Sequence, residues 1–136
     1  MAEHRRPVGD ALLSDWPPDV REAATEFIEN LRMMATGSYL RAEERGHWDP
    51  PYPESAVNEA QAELVTIGES ILGGADPQET SLAGARRIIA ISDANGGLLL
   101  DSEELDELLV FLSRLTETVG GEPTVVCDAV RELVEE

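Results

Sequence analysis

Apolar residues in this chain recur at every third or fourth position, and each such run is bounded by proline, glycine or a helix-capping acid. That period puts one stripe of an α-helix against a core, whereas a half-buried strand needs strict alternation. No convincing alternation competes, and Leu98 to Leu100 is at most a short extended piece. The expected fold is therefore all-α: a compact bundle of four to five amphipathic helices joined by short loops containing Gly and Pro. With 136 residues, the chain is long enough to bury one core unaided. Residues 1–13 are expected to form a flexible N-terminal tail, and 14–136 a single helical domain.

Local punctuation divides the chain into five segments. Pro17 and Pro18 suit a first helical turn, whose N–H groups lack partners anyway, and Val20, Ala23, Ala24, Phe27, Leu31 and Met34 follow as one stripe. Arg32 is placed to pair with Glu29, and the helix either ends near Gly37 or continues from Tyr39 to Arg45. Three prolines between Pro50 and Pro53 enforce a stiff connector. A second helix runs from about Pro53 to Leu72, with Val57, Ala60, Leu64, Ile67 and Ile71 inward, and stops at Gly73-Gly74. Asp76-Pro77-Gln78-Glu79 reads as a capping box opening a third helix, which Asn95-Gly96-Gly97 breaks. Asp101 to Glu104 repeats that logic before Leu105, Leu108, Leu109, Leu112 and Leu115, and Gly120-Gly121 closes the fourth helix. Pro123 opens a fifth, with Val126, Ala129, Val130 and Leu133 inward.

Charge narrows the range of functions. The net charge is −18, with ten Arg and no Lys, and the excess falls mostly in residues 54–136, where 18 acids face 4 Arg. Like charge opposes direct binding to nucleic acid or to anionic lipid. The surface suits a basic protein partner, although solubility or a high-salt cytoplasm would also account for it. The acids Asp101, Glu103, Glu104, Asp106 and Glu107 crowd a helix start, more than capping requires. Their surplus is available to Arg86 and Arg87 or to a partner; Glu103, Asp106 and Glu107 are the residues expected to face outward and bind it.

The inventory for catalysis is thin: no lysine, no phosphate-cradling glycine loop, and no Ser-His-acid set in a credible order. The lone Cys127, among Val125, Val126 and Ala129, reads as a buried structural thiol. No catalytic residue and no cofactor are expected. Without a signal-peptide-like or membrane-spanning apolar run, the expected compartment is the cytoplasm. The oligomeric state is left open by the sequence.

Three motifs carry partial resemblances. Asp93 to Glu104 resembles a calcium-binding EF-hand loop, with Asp93, Asn95, Asp101 and Glu104 at ligand positions and Leu100 at the apolar eighth. It departs from the pattern at Gly97, which offers no side-chain oxygen, and at Leu98, where the turn wants glycine. This resemblance implies metal binding as the alternative function. Asp101-Ser102 before an acidic, leucine-rich helix resembles the phosphopantetheine site of acyl carrier proteins, but Glu103 stands where those carry leucine. Glu44-x-x-His47 has the spacing used in di-iron carboxylate bundles, and completing such a site would take a second copy of the chain. The reading that best fits the residues is a non-catalytic protein that mediates protein–protein interaction with a basic partner, as an adaptor, an inhibitor or antitoxin-like protein, or an assembly subunit.

Overall fold

The computed structural model describes residues 16–37, 40, 43 and 50–135. Among them, five helices and no strand occur: α1 (Pro18–Thr36), α2 (Glu54–Leu72), α3 (Pro77–Ala94), α4 (Ser102–Thr118) and α5 (Pro123–Glu135). The proposed N-terminal tail, the continuation past Gly37 and the Glu44–His47 pair fall outside this set, apart from the isolated positions 40 and 43.

The helices close into a ring. α1 packs on α2 and α4, α3 on α2 and α5, and α5 on α4, while α4 also reaches α2 and α3 across the centre. The stripes read from the periodicity face that centre. Val20, Phe27 and Leu31 of α1, Leu64, Ile67 and Ile71 of α2, Ala85 and Ile88 of α3, and Leu108, Leu112 and Leu115 of α4 are all essentially solvent-free. Val126 and Val130 complete the core from α5, against which Leu133 and Cys127 are only partly buried. Burial of each aliphatic side chain stabilises the fold by ~1.5–3 kcal/mol relative to exposure, which is why a bundle with so few aromatics holds together.

The helix boundaries follow local chemistry. Gly37 ends α1 in the left-handed region (φ 68°), returning its N–H to the Met33 carbonyl at 2.8 Å. The Asp76 carboxylate accepts from the Glu79 N–H at 2.8 Å, as a capping acid should. Asp101 does not act the same way. It occupies the cap position of α4 with extended backbone but makes no side-chain capping bond. The capping bond that the sequence leads one to expect from Asp101 does not form.

Two glycines inside helices permit close approach. A Cβ on Gly68 would lie 2.4 Å from Cζ2 of Trp16, and one on Gly84 would lie 2.3 Å from Cδ1 of Ile67. Trp16 is 6% exposed, with its indole tilted against Phe111 at 5.9 Å between ring centres. It seats the start of α1 between α2 and α4.

Ion pairs join neighbouring helices. Arg32 turns from Glu29 to the polar edge of α2, where Glu54, Asn58 and Gln61 offer acceptors at 3.3, 3.1 and 3.2 Å. Three acceptors on a packed neighbour outcompete one exposed carboxylate on the same helix. Arg87 meets Glu63 of α2 at 2.5 Å rather than the acids of α4, because α3 lies alongside α2. No described helix is long and apolar enough to cross a membrane.

Candidate functional site

The start of α4 lies against the second half of α1, and the two bound a cleft of about 400 Å³. Glu103, Glu104 and Glu107 line it from α4, and Asn30, Met33 and Met34 from α1. Helical spacing explains the first group: residues at i, i+1 and i+4 share one edge of a helix. Met33 is 39% exposed although it sits beside carboxylates. Apolar and acidic chemistry therefore meet at one place.

The three outward-facing acids expected from the sequence separate here. Glu103 is exposed at the mouth of the cleft. Asp106 is exposed too, but it lines a different groove, on the α5 side of α4. Glu107 is turned inward. Its Oε2 accepts a short hydrogen bond from Nδ2 of Asn30, while Oε1 is buried with no hydrogen-bond partner among the described residues. α4 packs on α1 along this edge, so an acid there is drawn into the contact.

Burial and neighbouring carboxylates both act on the acids of the cleft. The Glu104 carboxyl is pushed above its ordinary range, first by burial and then by the charges of Asp101 and Glu103, against the pull of two backbone N–H groups. Glu107 is likewise raised by burial and by Glu104, Glu26 and Glu103, with the Asn30 hydrogen bond opposing. Glu104 also acts on Tyr52, 4% exposed, whose phenol is pushed up to about 12 by burial first and this charge second. Arg32, Arg87 and Arg114 are engaged elsewhere: Arg32 with Glu54, Arg87 with Glu63, and Arg114 with Glu22 and the Asp19 carbonyl.

The loop from Asp93 to Glu104 is built as a helix stop. Asp93 still belongs to α3, and the Asn95 side-chain amide donates to the Ile91 carbonyl at 2.8 Å. Gly97 returns its N–H to the Ser92 carbonyl at 2.7 Å with φ 80°. Leu99, fully buried, is pinned by its N–H to the Ser92 hydroxyl at 3.2 Å. No group of three or more His, Cys, Asp or Glu among the described residues could hold a metal ion. Ser102, in the first turn of α4, is exposed among acids.

Asn30 and Met33 are the site residues the sequence did not point to. Asn30 lies 77 positions from Glu107, and nothing local marks either as a partner of the other. No family model, curated protein or solved structure matches this chain.

Proposed function

We propose that this chain is a non-catalytic interaction protein whose acidic cleft between α1 and α4 receives a basic segment of a protein partner, as an adaptor, an inhibitor or antitoxin-like protein, or an assembly subunit would. One observation carries the reading: Glu103, Glu104 and Glu107 converge on one cleft, where burial first and neighbouring carboxylates second raise two of them, while Arg32, Arg87 and Arg114 pair elsewhere. An arginine or lysine entering there relieves that repulsion and gains charge-assisted hydrogen bonds. Met33 and Met34 supply an adaptable apolar wall for the stem of the same side chain or for its apolar neighbour. The wider surface, at net −18, steers a basic partner in from a distance. Charge density also explains why the partner would be a protein rather than nucleic acid.

The test compares what wild type and Glu103→Gln/Glu107→Gln capture from the native cell extract at low salt. Gln keeps the size and helix propensity of Glu and removes its charge. A basic partner that elutes with salt and is lost from the variant supports the proposal. Identical captured sets for a folded variant would reduce the cluster to a solvated helix start.

A further inference from the structure

A second groove, of about 470 Å³, runs along the outer seam of α4 and α5. Asp106, Val110, Arg114 and Glu117 enter it from α4, and Cys127 and Arg131 from α5. The two helices are joined by residues 119–122 and run antiparallel, and the Cys127 thiol donates to the Leu109 carbonyl at 3.6 Å. Counting along the helices from that contact puts Asp106 and Arg131 about one turn toward one end, and Arg114 and Glu117 roughly one and a half and two turns toward the other. Among the lining residues, each end therefore carries one acid and one arginine. Val110, 43% exposed, lies between them. On a surface of net −18 this balance is unusual, because two of the four Arg in residues 54–136 are spent on it.

From this order of charges we infer that the groove is the contact between two copies of this chain. A two-fold interface must be complementary to itself, since the same patch is presented by both partners. A perpendicular two-fold axis through the middle of the groove lays one end over the opposite end of the other copy. Asp106 then faces the second copy's Arg114, and Arg131 faces its Glu117, with Val110 against its equivalent. Arg114 is already held in place by the Asp19 carbonyl at 2.8 Å and by Glu22 at 3.5 Å. Its planar fork has five donors, so bonds remain for a further carboxylate.

This contact and the cleft proposed for a basic partner respond to salt in opposite directions. Long-range repulsion between two highly acidic bodies is screened by salt, whereas attraction of a basic partner is weakened by it. Sedimentation equilibrium from ~1 to ~500 μM protein, at ~10 and ~150 mM ionic strength, reads the difference directly. The expected result is a monomer–dimer equilibrium that tightens with salt. Val110→Asp should leave only monomer. Arg131→Glu sets like charges face to face and should weaken the dimer on the order of tenfold, while Arg131→Glu/Glu117→Arg restores it. Arg131 and Glu117 are exposed, so these changes leave the monomer fold alone, which circular dichroism verifies. A monomer throughout, a dimer indifferent to these changes, or a double variant no tighter than the single would each overturn the inference.

Discussion

Gly68→Ala tests the packing of the bundle at its tightest point. A Cβ there would lie 2.4 and 2.5 Å from two indole carbons of Trp16, where ordinary carbon contacts are ~3.5–4.0 Å. The ring would have to move by about 1 Å, yet it is 6% exposed and braced on Phe111. Overpacking of this kind costs ~1–3 kcal/mol. Against it stands the helix-propensity gain of Ala over Gly, ~1 kcal/mol. The net expectation is destabilisation by about 1 kcal/mol, seen as a fall of roughly 0.5 M in the urea midpoint at unchanged slope. Far-ultraviolet circular dichroism during a urea titration measures it. In a Trp16→Leu background the clash is removed and the same substitution should become stabilising. A stabilisation of about 1 kcal/mol in the wild-type background would show that Gly68 is merely a weak helix residue and that the indole does not need the space.

Three further outcomes are expected. Asp76→Ala should lower stability by about 1 kcal/mol and Asp101→Ala by much less, because only Asp76 makes its capping bond; equal losses in thermal melts would contradict this difference. Leu64→Ala or Leu112→Ala should cost ~2–5 kcal/mol through lost burial and a residual cavity, and losses under ~0.5 kcal/mol at both would mean that the core faces elsewhere. Glu104 and Glu107 have folded-state pKa values raised above those of the unfolded chain, so the folded state takes up protons more readily. Their contribution to stability therefore increases as pH falls from neutral through the raised folded values, and is complete below the unfolded value of about 4.3. Glu104→Gln/Glu107→Gln should flatten the rise in melting temperature across that interval, and an unchanged profile would show that these two groups do not produce it.

Helix limits and buried faces were legible because their causes are local. A proline fixes one dihedral angle, a glycine admits left-handed backbone at Gly37, and a period of three to four chooses the stripe that carries Leu64 and Leu112. What was not legible depends on which helices become neighbours. Trp16 over Gly68, Ile67 over Gly84, and Asn30 on Glu107 join positions with no shared local signal. Leu99 escaped the periodicity because it enters the core from a loop. At Asp101 the local rule was incomplete: the motif allowed a capping bond, and the cap position takes its extended backbone without making one. The acid run itself was plain in the sequence. Its division into an edge facing α1 and an Asp106 facing α5 was set by the packing of α4 between them.

The location of partner binding is tested most directly by backbone amide chemical shifts of the labelled protein, titrated with the basic partner identified by capture. Binding in the cleft should perturb Asn30, Met33, Glu103, Glu104 and Glu107 first and most, with the shifts collapsing at high salt, where exposed charges are screened within ~3 Å at ~1 M. Saturable perturbations confined to other faces, with these five unmoved, would contradict the assignment of the α1–α4 cleft as the partner site.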